Sequence, residues 1–242
     1  MFSKKWTAAI LAAVFFCISL PASLLAQEKT ESKEAAGKSA LILCGKDYFN
    51  NWLKYKFKNT GLKLAQYSEL IKGKSWKENG QKLPPLAELK TYDIVFVFGA
   101  SLTAIAKDDF LAYIKEGGAI YMTYTTMTQL KEKTGEIAFG VGGFDGYEPI
   151  HNKPYSVTNP VRIPVKFKYD KAMGREREFT QEIVYTVAVK DLVDAKPLIY
   201  IADKPGLVNT CYTKVGKGMF IYSGFEDLVT IAEVLKVLGF AK

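Results

Sequence analysis

The chain has 242 residues, 33 Lys and Arg against 25 Asp and Glu, a formal charge of +8, three cysteines and one histidine. So few thiols and imidazoles, and so widely spaced, exclude a zinc site, which wants three or four close ligands. The charge comes from lysines spread along the whole length, which suits a weak preference for anionic surfaces and not a nucleic-acid groove.

In chain order, Lys4 and Lys5 precede an apolar run from Ala8 to Leu20, Pro21 interrupts it, and Ala26 supplies a small residue for cleavage. This pattern predicts a secretory signal peptide over residues 1–26. The mature chain is then periplasmic or extracellular, with no stable membrane insertion. The rival is an uncleaved anchor, against which Pro21 and Ser23 both argue. Residues 27–39 are small and charged, a flexible leader. Residues 40–242 remain as a single α/β domain, long enough to bury a sizeable core.

Ser39–Cys44 is an unbroken apolar run, as in the middle of a parallel sheet. The four-residue spacing of Phe49, Leu53 and Phe57 predicts a helix over Asn50–Lys58, with its lysines on the wet side. Leu62–Tyr67 reads as a second strand and Lys72–Pro85 as a surface connection. Tyr92–Gly99, Thr103–Lys115 and Ala119–Tyr124 form a βαβ unit, and Met127–Lys133 a further helix. Residues 140–164 carry glycines and prolines in irregular order. Val165–Tyr169 and Glu182–Val189 alternate polar and apolar residues, the pattern of strands with one wet face. Lys196–Ala202, Leu207–Val215 and Met219–Ser223 complete the strands, with a turn at Asp203–Gly206. Glu226–Leu238 closes as a helix stopped by Gly239. The expectation is an α/β fold with a mainly parallel central sheet flanked by helices and a β-rich insertion after residue 140.

Chemistry in such folds sits at the carboxyl ends of the parallel strands. Cys44 ends the first strand and can be read as a nucleophile or, more simply, as a buried core thiol. It can pair with Cys211 in a disulfide or stay reduced. Asp47, Glu226 and Asp227 meet if the first and last strands are neighbours, and paired carboxylates can act as acid and base. The plainer role for Glu226 and Asp227 is to open the last helix, whose dipole favours negative charge there. Gly140–Gly146 lacks the following helix that a phosphate loop needs. His151 lies in the irregular region as a solvated residue or as an assisting base.

Four stretches together resemble the trehalose-utilisation (ThuA-like) family, a branch of the class I glutamine amidotransferase-like, flavodoxin-like fold. They are Gly45-Lys-Asp-Tyr-Phe-Asn-Asn-Trp52, Tyr92–Gly99 with Tyr113–Gly118, Gly140–Phe144, and Val215-Gly-Lys-Gly-Met-Phe-Ile-Tyr-Ser223. Asn50 stands where that family has a histidine, and Thr123 or Tyr124 where amidotransferases place their nucleophilic cysteine. The resemblance implies a small polar, carbohydrate-type ligand held by Asp47, Asn50, Trp52 and Tyr124, or a partner protein, with no cofactor, no metal and no intact amidotransferase nucleophile. The alternative is a sugar-active enzyme using Asp47, Glu226 and Asp227, with His151 assisting. A structural module of the cell envelope is the third reading.

Overall fold

A run of apolar residues must be buried on both faces of a sheet, and Ala40–Leu43 of β1 (Ser39–Cys44) is buried in this way. Ala40 and Ile42 enter one core cluster, Leu41 and Leu43 the other, since alternate side chains leave a strand on opposite sides. The computed structural model describes residues 37–44, 57, 60–67, 84–98, 107–123, 141–152, 158–225 and 228–241. Lys38–Lys242 forms one compact unit.

β2 (Lys63–Gln66), β3 (Ile94–Phe98) and β4 (Ala119–Thr123) follow, with the short helix α1 (Leu86–Leu89) before β3 and α2 (Lys107–Lys115) before β4. β5 (Phe144–His151), β6 (Ile163–Tyr169), a 3-10 turn at Lys171–Met173, β7 (Glu178–Ile183), β8 (Tyr185–Leu192), β9 (Lys196–Ile201), β10 (Val208–Val215), β11 (Gly218–Ser223) and α3 (Leu228–Val237) complete the order. All eleven strands join one sheet, ordered β2-β1-β3-β4-β11-β10-β9-β6-β7, with β8 and β5 branching from β10.

The expected mainly parallel, helix-flanked sheet with a β-rich insertion is corrected here. Four strand pairs are parallel (β1/β2, β1/β3, β3/β4, β4/β11) and six antiparallel. Only three α-helices lie among the described residues. The strands after residue 143 are no appendage, because they extend the same sheet through β10. The reason is local: tight links such as Gly216-Lys217 leave no length for a crossover helix, so β6/β7, β9/β10 and β10/β11 pair antiparallel with their sequence neighbours. The apolar runs at the front of the chain gave no warning of this.

Two boundaries also differ. The irregular stretch expected over 140–164 contains β5, where Gly146 and Pro149 mask the alternation; proline is tolerated there because β5 is an edge strand. The single strand expected over Glu182–Val189 is two, broken at Val184. The helices expected at Asn50–Lys58 (except Phe57, which is helical) and Met127–Lys133, the connection over 72–83 and the segment 1–36 lie outside the described residues.

The core has two layers. α2 places Phe110, Tyr113 and Ile114 against Val95, Val97 and Ile120, while α3 places Ile231, Val234 and Leu235 in the cluster that holds Phe96, Tyr121 and Ile221. The sheet forks at Val208, which pairs with Val189 of β8 and with Tyr200 of β9. Register shifts between Val208 and Thr210 and between Thr210 and Cys211 mark irregular pairing at the fork, the kind of local twist that re-aims side chains.

Candidate functional site

The parallel strands β1, β3, β4 and β11 end together: Cys44 lies beside Phe98, Val97 beside Met122, and Thr123 beside Ser223. From β1 the chain goes to β2 on one side, and from β3 to β4 on the other. The order reverses between β1 and β3, and the carboxyl ends of the strands at such a reversal are where open sheets of this kind bind ligands. Asp47, Asn50 and Trp52 follow β1 in sequence, Tyr124 follows β4, and Glu226 and Asp227 follow β11; these six lie outside the described residues. Cys44 contributes only its backbone to the described structure.

Two sequence expectations are settled by strand order. The first and last strands are not neighbours, because β3 and β4 lie between β1 and β11. Their ends are three strand spacings apart, about 14 Å, so adjacency does not bring Asp47 to Glu226 and Asp227. Cys44 and Cys211 lie on strands four spacings apart, about 19 Å, beyond the reach of a disulfide. Cys211 is a free, fully buried thiol whose pKa burial pushes up, as expected of an inert core cysteine.

Beside the end of β11 lies a buried polar cluster that the sequence reading missed. Thr186, Asn209, Thr210 and Ser223 are all essentially inaccessible. Thr186 Oγ1 donates to the Gly224 carbonyl at 2.5 Å and accepts from Asn209 Nδ2 at 3.2 Å. Thr210 Oγ1 donates to Asn209 Oδ1 at 3.0 Å, its oxygen lies 3.2 Å from Ser223 Oγ, and Ser223 Oγ accepts from the Phe225 amide at 3.1 Å. Tyr222 Oη adds a bond to the Val187 carbonyl at 2.7 Å. Buried hydroxyls and amides of this kind must find partners inside the protein, and here they bind β8 and β10 to the point where the chain leaves β11. The available signal was Asn209-Thr210, two polar residues inside a strand whose other members are largely apolar.

His151 ends β5, stacked on Tyr185 with ring centroids 5.5 Å apart, and its Nδ1 lies 2.8 Å from the Asn152 carbonyl and donates to it. It lines a groove of about 530 Å³ with residues of β6 and of the β9–β10 turn. The sequence placed His151 in a loop, whereas the structure puts it on a strand. The described part of the glycine segment, 141–146, runs into a strand and not into the helix that a phosphate loop needs, and the Gly143 carbonyl accepts from the amides of Val193, Asp194 and Ala195.

At the outer end of the antiparallel strands, Tyr169 Oη donates to Glu233 Oε2 and Arg175 Nη2 to Glu233 Oε1, each at 2.6 Å, with the guanidinium over the Tyr169 ring. Burial and the adjacent Glu233 push the Tyr169 phenol up to about 12. These bonds tie α3 to β6 and to the segment after the 3-10 turn. Among the described residues no three His, Cys, Asp or Glu gather to hold a metal ion, and no helix is long and apolar enough to cross a membrane.

No protein-family model matches the chain, and no curated protein matches it in sequence. Its likeness to solved structures is one of shape. The β-galactosidase from Rahnella sp. R3 superposes on 84% of this chain at a TM-score of 0.53 and 14% identity, and the one from Bacillus circulans sp. alkalophilus gives 84%, 0.53 and 14%. The chain spans 31% and 30% of the length of those two enzymes. A cytoplasmic protein of Salmonella typhimurium LT2 is covered over 100% of its length, with 84% of this chain, a TM-score of 0.50 and 9% identity. The fold therefore occurs both as a segment of larger glycosidases and as an entire chain.

Proposed function

We propose that this chain engages a carbohydrate at the carboxyl edge of its parallel strands, outside the cytoplasm after export. The observation that carries the reading is the shared fold over 84% of the chain with segments of β-galactosidases, joined to the reversal of strand order between β1 and β3. Asp47, Asn50 and Trp52 follow β1 in sequence and offer a carboxylate, an amide and an aromatic face. Such a set holds sugar hydroxyls and the apolar face of a pyranose ring. The ThuA-like motifs lean the same way.

Within that reading the likeness to glycosidases favours sugar chemistry over binding alone, with Asp47, Glu226 and Asp227 as acid and base. Glycoside hydrolysis needs two carboxyl groups roughly 5–9.5 Å apart. The ends of β1 and β11 are about 14 Å apart, so the reading requires side chains that reach across β3 and β4, or Glu226 and Asp227 acting together.

The test is thermal-shift and turnover measurement with lactose, cellobiose and an aryl β-galactoside. A sugar that binds only the folded chain raises its melting temperature. A shift together with turnover that disappears in Asp47→Asn or Asp227→Asn supports the enzyme. A shift without turnover restricts the function to binding, and no shift with any sugar overturns the carbohydrate reading.

A further inference from the structure

β6 pairs with β9 only over Phe167–Tyr169, and β5 pairs with β8 alone. Glu148–His151 of β5 and Ile163–Lys166 of β6 consequently line the 530 Å³ groove as two strand segments with no ladder between them. The base of the groove is apolar, formed by the buried side chains of Ile150, Val165 and Ile201. Its rim is charged but balanced. Lys204 Nζ lies 3.0 Å from Glu148 Oε1, and Lys166 Nζ 4.0 Å from Asp203 Oδ1. Both pairs are well exposed, so each contributes little to stability and can open to a ligand.

Three features narrow what can lie there. Two strand edges that share no ladder ordinarily invite another strand, but the Lys166 carbonyl already accepts from the Ala202 amide, and each wall carries a proline, Pro149 on β5 and Pro164 on β6. A proline has no N–H to give, so a polypeptide laid along either wall meets an interrupted ladder. The rim has two acids and two lysines, which selects neither a polyanion nor a polycation. Four strand residues give each wall a length of about 13 Å, and the groove has the volume of an ordinary small-ligand site.

We propose that this groove binds a neutral sugar of disaccharide size, its ring C–H faces on Ile150, Val165 and Ile201 and its hydroxyls bonded to Glu148, Asp203 and the two lysines. Charged partners make the stronger hydrogen bonds to such hydroxyls, and an apolar base with a polar rim matches a molecule that is apolar on its ring faces and polar at its edge. The choice of a sugar over other polyols rests on the carbohydrate reading above. The groove itself does not, and its lining residues are different ones.

Amide hydrogen exchange of the full chain, with and without lactose or cellobiose, tests the proposal. The expected result is slowed exchange at Glu148–His151 and Ile163–Lys166, and binding weakened about tenfold in Glu148→Gln or Asp203→Asn by loss of one charge-assisted bond. Protection confined to the segments after β1, β4 and β11 overturns the groove and leaves the carbohydrate reading standing. Protection of the groove by an extended peptide and not by either sugar overturns the proposed occupant. No protection and no thermal shift with any sugar overturns both. The exchange pattern of the unmodified chain decides between these outcomes even if a variant fails to fold.

Discussion

Thr186 ties three segments together with one hydroxyl, since its Oγ1 donates to the carbonyl of Gly224 after β11 and accepts from Asn209 of β10. Valine has nearly the same shape and neither bond, so Thr186→Val leaves a buried carbonyl and a buried amide short of partners. The expected loss is about 2 kcal/mol, read as a lower urea midpoint with an unchanged slope. An unchanged midpoint would mean that water reaches these groups. Apart from the adjacent Asn209 and Thr210, nothing in the sequence marked this cluster. A threonine inside a strand looks the same whether it faces solvent or a neighbouring strand, and only the fork at Val208 turns these side chains inward. Cys44 and Cys211 teach the same lesson: both strands were legible, but the distance between them follows from sheet order alone.

At the scale of elements, the tightest junction is between the end of α2 and the start of β11. A Cβ on Gly218 would overlap the carbonyl oxygens of Gly118 and Ile114, backbone atoms that cannot swing aside. Gly218→Ala should therefore destabilise the protein by about 3 kcal/mol. Gly174, at φ 73 with nothing within 4 Å of an added Cβ, should lose only about 1 kcal/mol on replacement by alanine, the cost of a left-handed residue. Comparing the two denaturation midpoints checks the contrast. Most elements were readable because their cause is local: the apolar run of β1, the alternation of β6, and the stop at Gly239, which has φ 77. β5 was not, because its glycine and proline carry a loop's signature into an edge strand that tolerates both.

For the molecule as a whole, alkaline pH is the informative variable. Tyr113, Tyr169 and Tyr200 are all held above the ordinary tyrosine value, chiefly by burial. Raised folded-state values mean that their stabilising contribution is complete below about pH 10 and declines as pH rises through the folded value, about 12 for Tyr169. Stability should thus hold to about pH 9 and fall between about pH 10 and 12, with a late phenolate absorbance change. Tyr169→Phe should remove one late-titrating group and lessen the fall. A tyrosine titration in which every group of the folded protein has its midpoint near pH 10 would contradict the structure.

By itself the sequence determined where most strands begin and end and which of them are buried on both faces, because hydrophobic period and turn chemistry act over a few residues. It also directed attention to the carboxyl edge of the parallel strands. Only the tertiary structure decided that antiparallel pairs outnumber parallel ones, that β1 and β11 are kept apart by β3 and β4, and that β5 and β6 leave an open groove. Those outcomes depend on which strands pair across long stretches of chain. Pairing is selected by the joint burial of many side chains, a property that no local window contains.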